Sequence, residues 1–587
     1  MENLDVARTL EELADLLEIQ GANPFRIRAY RNAVNTVESL SRPLRDMVDA
    51  GEDLTELPAV GKEIAAHITE LLTRGTLARL DEVAAEFPRT LVELMRLDGV
   101  GPKKARKLFT ELDVRTVDDL QAALEAGRVE TLEGFGKKSA QKILHAIEEH
   151  RRHIGRFLLD EVEQLVAAVR AHMESAPGVK RLEVAGSLRR RKETIGDVDL
   201  LAECEGDGTD VVAHFVAFPG AARVEAAGGT KGNIVLPSGL SIDLRVIPQR
   251  SFGAALQYFS GSKEHNVAVR TRAVRQGLRV NEWGVFRVPD DVDPETLGKE
   301  DGERLAGDDE AGVYAALGMA WVPPELRENR GEVEAASSGA LPRLVELRDI
   351  RGDLQMHSTW SDGKVSVEEM ARGCRERGYE YMAITDHSQA MAMVQGLTPE
   401  RARAQWQEIE DVRRSVEGIT ILRSAEVDIL KDGALDLPDD ILEGLDVVLV
   451  SVHSFMDQDR KTMTDRVLRA IRHPEVDILA HPTGRLLNRR EAFELDVAAV
   501  LEAAAELGVA LELNANPNRL DLSDVHVHRA KELGVKVVVS TDAHSPRGLD
   551  YMRFGVDQAR RGWLEAPDVL NTMPLADLRT WLARRSA

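Results

Sequence analysis

Cysteine is nearly absent: the 587 residues contain two, Cys204 and Cys374. So few thiols exclude a disulfide framework and point to a reducing compartment. Aromatic residues make up only 4% of the chain. No apolar run approaches the roughly 20 residues that a membrane-spanning helix needs. The stretch Met1 to Ile19 lacks the pattern of a signal peptide and reads as an acidic amphipathic helix. Positive charge is in deficit, with 76 Lys and Arg against 100 Asp and Glu and a net charge of -24. That excludes a uniformly basic clamp and confines polyanion contacts to local patches such as Arg189 to Lys192. The length exceeds what one hydrophobic core supports, so several domains are expected.

Three carboxylates define a first constellation. Asp197 and Asp199 stand one residue apart after Gly196, and Asp243 follows in the strand-like stretch Leu240 to Val246. A D-x-D pair on an extended strand turns both carboxylates to one face. Alone it usually marks a solvated strand end. Here it follows Val184-Ala185-Gly186-Ser187-Leu188-Arg189-Arg190, which makes the pattern far more specific. Three hard oxygen ligands suit a pair of Mg²⁺ or Mn²⁺ ions that activate a hydroxyl and steady a leaving phosphate. The turn at Gly186 and Ser187 lets backbone N–H groups approach a triphosphate, and Arg190 offers a forked clamp.

These residues resemble the nucleotidyltransferase palm of family X DNA polymerases. Leu256 to Ser262 is similar to the family's Tyr-Phe-Ser/Thr-Gly-Ser segment. The resemblance implies that Tyr258, Phe259 and Gly261 close on the sugar of the incoming nucleotide. It also implies that Asn266 and Arg270 reach the minor-groove side of the nascent pair. Gly277-Leu278 and Val280 to Gly284 match the end of the thumb. Two residues depart from the vertebrate beta-type pattern: Lys263 replaces an acid, and Ser241 replaces an arginine two before the third aspartate. Neither belongs to the carboxylate triad, so polymerase chemistry is expected with altered nucleotide affinity.

From about residue 350, short apolar strands alternate with helical stretches, and polar residues gather where seven strands end. TIM-like barrels place their chemistry at such ends. One histidine there is usually structural. His357, His387, His453, His481 and His544, together with Asp362, Glu426 and Asp542, ask for a metal, and imidazole with carboxylate favours Zn²⁺, Mn²⁺ or Fe²⁺. The pattern resembles the polymerase-and-histidinol-phosphatase (PHP) domain, a distorted seven-stranded barrel. The resemblance implies those eight residues as ligands of up to three metals that hydrolyse phosphoesters. Gln355 stands where the family opens with the first histidine of His-x-His, so one metal position is expected to be looser.

Three segments share a glycine hairpin before a helix: Leu57 to Lys62, Leu97 to Lys104, and Leu132 to Lys138. They resemble helix-hairpin-helix motifs, whose N–H groups face a DNA phosphate. Gly61, Gly99, Gly101, Gly134 and Gly136 would supply those groups, and Lys62, Lys103, Lys104 and Lys137 sequence-independent attraction. The first copy departs by Ala59. Asn23 to Arg31 resembles the start of the family's small amino-terminal domain. His67 falls at that domain's Schiff-base lysine, and imidazole cannot form the adduct, so no lyase activity is expected.

The resemblance spans nearly the whole chain. It implies a helical DNA-binding domain over 1–90, a helix-hairpin-helix segment over 91–150, an α+β palm over 151–248 and a thumb over 249–325. A linker follows over 326–344, drawn from the polar stretch Pro323 to Pro342, and then a PHP barrel over 345–587. The expected activity is short-gap filling on gapped or primed DNA from deoxynucleoside triphosphates, with 3′-5′ exonucleolytic or abasic-end processing. The expected setting is the cytoplasm at the nucleoid, away from membranes and beside other repair proteins. The alternatives are a PHP nuclease, or a DNA-end scaffold, with an inactive polymerase core.

Overall fold

Apolar residues three and four apart in the first twenty positions line one face of helix α1 (Asn3–Gln20), where Leu10, Leu13, Leu16 and Leu17 are fully buried. The structure is a computed structural model that describes residues 3–39, 44–95, 97, 99–153, 155–204, 206–288, 298–391 and 394–583. The chain divides into two compact units, one formed by Met1–Ile154 and Asn488–Arg490 and the other by Gly155–Leu487 and Glu491–Ala587. Among the described residues no helix is long and apolar enough to cross a membrane.

The first unit is helical. Helices α2 (Lys62–Arg74) and α3 (Pro102–Leu112) start directly after Gly61 and Gly101 as N-cap residues, and α4 (Lys137–His153) starts after Gly136. Gly99 and Gly134 turn their hairpins at φ +87 and +89. Ala59 takes the same left-handed conformation at φ 58, where its Cβ is a steric cost that glycine avoids. One continuous core runs from Val6 to Ile147. Residue 90, expected as a domain boundary, is therefore not a break in packing.

The second unit begins with a five-stranded sheet. Its strands are β1 (Val179–Val184), β2 (Asp197–Cys204), β3 (Arg223–Gly228), β4 (Lys231–Val235) and β5 (Ser241–Ile247), in the order β1-β2-β5-β4-β3. Only β2 and β5 run parallel. Helices α5 (Phe252–Ser260) and α6 (Lys263–Arg275) lead to a three-stranded sheet of β6 (Leu278–Asn281), β7 (Gly284–Arg287) and β8 (Glu303–Ala306).

The stretch expected as a linker is packed instead. Arg327 is fully buried, donates to Glu310 at 2.6 Å and to the Val322 carbonyl at 2.9 Å. Helix α7 (Glu332–Ser338) begins with a buried Glu332 that accepts from His265 Nδ1 at 2.6 Å and from the N–H groups of Asn329 and Arg330. The polar composition that suggests a linker serves these buried partners.

The remaining strands are β9 (Gly352–Asp353), β10 (Tyr381–Ile384), β11 (Thr420–Asp428), β12 (Val447–Ser451), β13 (Ile478–Leu479), β14 (Ala510–Asn514) and β15 (Val537–Ser540). They pair in chain order, all parallel. A parallel bridge from Met356 to Ala543 joins the two ends, with Asp542 N–H donating to the Gln355 carbonyl. Helices α8 (Arg460–Ile471) and α9 (Met552–Arg561) cover the outside. The barrel is seated on the palm: Arg191 bridges Asp557 of α9 and Glu163, Arg485 pairs with Glu193, and Leu520 and Phe554 enter the palm's apolar core.

His265 is caught between Glu332 and the Tyr314 hydroxyl, 2.9 Å from its Nε2, and all three are buried. Burial holds the imidazole below its usual range, so the neutral ring donates to Glu332 and accepts from Tyr314. Removing one partner strands the others in a dry site. Glu332→Ala should cost about 1–3 kcal/mol in chemical denaturation, whereas exposed Glu334→Ala should leave the midpoint in place.

Candidate active sites

In the palm, the parallel register sets Asp199 directly opposite Asp243, with Asp197 two residues earlier on the same strand face. Asp197 is exposed at the strand start, while Asp199 and Asp243 are half-buried. Burial, then the charges of Asp197 and Asp243, push the Asp199 carboxyl up to about 6. Gly186 comes so close, at φ +62, that a Cβ there would lie 2.6 Å from Asp199 Oδ2. The carboxylates and the Gly186-Ser187 turn thus meet at one end of β2.

Arg190 is not free in this state. Its guanidinium donates to Glu328 at 3.0 Å and to the Ser260 carbonyl at 2.9 Å. Gly196 precedes the first aspartate, beside Arg156. Tyr258 and Phe259 end α5 edge to face, and the Tyr258 carbonyl accepts from Asn266 Nδ2 at 2.6 Å. A Cβ on Gly261 would meet Asn266 Oδ1 at 2.8 Å, so glycine permits this turn. Arg270 is exposed one turn beyond, donating to the Asn266 carbonyl. Sequence reasoning missed Arg245, whose guanidinium lies 4.6 Å from the Phe259 ring centroid. Its place two residues after Asp243, on the same strand face, was the available signal.

The barrel gathers the eight expected residues into one chain of contacts, with Glu426 shared by two groups. Three groups bring ligand-type atoms within 4.8 Å of one another: His357, His387 and Glu426; His357, Asp542 and His544; and Glu426, His453 and His481. Asp362 adjoins them through His544 Nε2 at 3.2 Å and His387 Nε2 at 3.6 Å. Against the effect of burial, Glu426 and Asp428 raise His453 to about 10, and Asp362 and Asp542 raise His544 to about 9. Glu426 and Asp542, although buried, are held well below the usual carboxylate range by the imidazoles. Even so, His357 Nδ1, His387 Nδ1, His481 Nδ1 and Glu426 Oε2 are buried without a hydrogen-bond partner. Both side-chain polar atoms of Gln355 share that state. Buried polar atoms are rarely left so, and a donor set of imidazole and carboxylate fits transition-metal ions. Sequence reasoning missed Asp428, 3.3 Å from His453 Nδ1, and Arg519, 3.6 Å from Asp542 Oδ2.

In the hairpins, Gly61, Gly101, Gly134, Gly136, Lys62, Lys103 and Lys137 are exposed, and Gly99 is half-buried. Lys104 is turned inward. It donates to the Gly99 carbonyl at 2.9 Å and to Ser139 Oγ at 3.3 Å, and lies 5.2 Å from the Phe135 ring centroid. Its ammonium braces the second hairpin against the third. His67 Nδ1 lies 2.9 Å from the Tyr30 hydroxyl.

Family profiles match a helix-hairpin-helix domain over 1–77, a SAM-like helix-hairpin-helix tandem over 91–149 and a DNA polymerase beta palm over 156–216. A DNA polymerase beta thumb matches 255–328 and a PHP domain 353–516. The DNA polymerase/3′-5′ exonuclease PolX of Bacillus subtilis (strain 168) is 39% identical over 586 residues, the full length of both chains. The chain belongs to the PolX family. Two other relatives match part of the chain. DNA polymerase lambda of Rattus norvegicus is 26% identical over 48% of each chain. The Probable phosphatase of Shewanella sp. (strain MR-4) is 33% identical over 40% of this chain and 91% of its own.

Because Asp199 is raised, the folded chain holds a proton that the unfolded chain has already released between the ordinary carboxylate range and about pH 6. Stability from this group therefore falls as pH rises through that window. Metal-free Asp199→Asn should melt a few degrees above the parent at pH 7, with the gap closing toward pH 5. Added Mg²⁺ should reverse the order at pH 7. Melting curves at the two pH values check both signs.

Proposed function

We infer that the chain fills short gaps in DNA from deoxynucleoside triphosphates and trims 3′ ends, each at its own site. The observation that carries this reading is the pair of separate ligand sets, three carboxylates on the palm strands and, at the barrel mouth, seven clustered residues with Asp362 beside them. Mg²⁺ or Mn²⁺ on Asp197, Asp199 and Asp243, and Zn²⁺, Mn²⁺ or Fe²⁺ at the barrel, would supply Lewis acidity for phosphoryl chemistry. The setting is the cytoplasm, on gapped or primed DNA alongside repair proteins.

In the palm, the N–H groups of the Gly186-Ser187 turn receive the triphosphate, and Arg190 exchanges Glu328 for a phosphate oxygen. Tyr258, Phe259 and Gly261 fit the sugar, and Asn266 and Arg270 the minor-groove edge of the new pair. The primer 3′ hydroxyl attacks the α-phosphorus and pyrophosphate leaves. In the barrel, His357, His387, His453, His481, Asp362, Glu426, Asp542 and His544 organise hydrolysis of the terminal phosphodiester. Gln355 completes the mouth with a neutral oxygen, so one metal should be lost to chelator before the others. The exposed hairpins hold phosphates on either side of the gap without reading bases.

Two variants separate the sites. Asp197→Ala should abolish primer extension on a labelled gapped duplex and retain Mn²⁺-dependent trimming, and Glu426→Ala should do the reverse. Loss of both activities in either folded variant would contradict two independent centres.

The hairpins separate in another way. Lys103→Ala should weaken DNA binding equally across sequences and reduce the slope of log affinity against log salt by about 1. Lys104→Ala should instead lower the melting temperature, because its ammonium is spent inside the fold.

A further inference from the structure

We propose that Phe455 and Lys431 form a nucleobase subsite at the mouth of the barrel, which holds the terminal base of a DNA 3′ end. The proposal rests on the reading of the barrel as a 3′-end phosphodiesterase and adds the element that grips the nucleoside. Phe455 is 51% exposed in a chain with few aromatic residues. It stands two residues beyond His453, in the left-handed conformation at φ 51. Lys431 occupies the tip of a tight hairpin in which Leu430 N–H donates to the Ala434 carbonyl at 2.8 Å and Ile429 bridges Leu435. It lies three residues beyond Asp428, itself 3.3 Å from His453. The two loops leave the adjacent parallel strands β11 and β12, and the Lys431 ammonium comes 5.2 Å from the Phe455 ring centroid.

A single side chain holds both loops. Arg466 of α8 is buried and donates to the carbonyls of Ile429 and Leu430 in one loop and of Ser454 in the other, and to Gln458 Oε1 at 3.1 Å. Gln458 Nε2 donates back to the Lys431 carbonyl at 3.2 Å. An exposed ring on a tethered loop loses little freedom when a flat ligand stacks on it. An aromatic face beside an ammonium matches a nucleobase and its flanking phosphate, and stacking of this kind tolerates all four bases. The neighbouring His453 group fixes which base this is: the one attached to the phosphodiester under attack.

The test uses the full-length protein and single-stranded oligonucleotides that end in a natural base, in a tetrahydrofuran abasic analogue or in 2-aminopurine. Phe455→Ala should raise the ratio of KM for base-bearing over abasic ends about tenfold, and Phe455→Trp should restore it. Quenching of the terminal 2-aminopurine on binding should be lost in Phe455→Ala and kept in Phe455→Trp. An equal KM rise on both kinds of end, or undiminished quenching in Phe455→Ala, would overturn the subsite. Trimming that survives in Glu426→Ala while quenching still depends on Phe455 would remove the phosphodiesterase reading and leave the subsite standing.

Discussion

Ionisable groups held close together are the condition on which both halves of the large unit depend. In the palm, a parallel strand pair fixes two aspartates side by side and a third two residues away, so one of them keeps its proton to about pH 6. In the barrel, seven strand ends converge and bring imidazoles and carboxylates into one buried cluster. Protein hydrogen bonds saturate only part of that cluster, and several ring nitrogens and carboxylate oxygens face inward without partners. Such an arrangement is costly for the protein alone. It is what a site for cations looks like when the surrounding sheet, rather than the ligands, does the holding.

Much of this was legible in the sequence because strand geometry is simple. Alternation predicts that Asp197 and Asp199 share a face, and polar residues after apolar runs mark the barrel mouth. The parallel pairing that sets Asp199 against Asp243 depends on long-range topology, which no local pattern fixes. Outside the strands, side-chain direction was not readable. Lys104 follows a glycine hairpin as an outward cation should, yet it bends back to the Gly99 carbonyl. The stretch 326–344 has the composition of a linker, but its Arg327 and Glu332 find partners 17 and 67 residues away. Composition cannot carry information about partners at such distances.

Buried arginines do much of the joining. Arg327 ties the thumb's end to Glu310, Arg466 fixes two loops at the barrel mouth, and Arg561 reaches from the barrel to the palm. Each carries several fixed donors and meets backbone carbonyl oxygens, and Arg327 and Arg561 meet carboxylates as well, which suits a junction between irregular segments better than apolar packing would.

Glu328 receives two of these guanidinium groups, Arg190 from the palm and Arg561 from the barrel. Arg561 in turn donates to the Arg190 carbonyl and to Asp524. The barrel is therefore part of the scaffold that holds Arg190 of the palm in place. A gene shortened to lack the barrel would expose the apolar face that receives Leu520 and Phe554 and leave Glu328 and Arg191 short of partners. Losing the nuclease by point changes at the barrel mouth is a gentler route for descent than losing the barrel itself, so an inactivated barrel retained as a buttress is the form in which a descendant with one activity would persist.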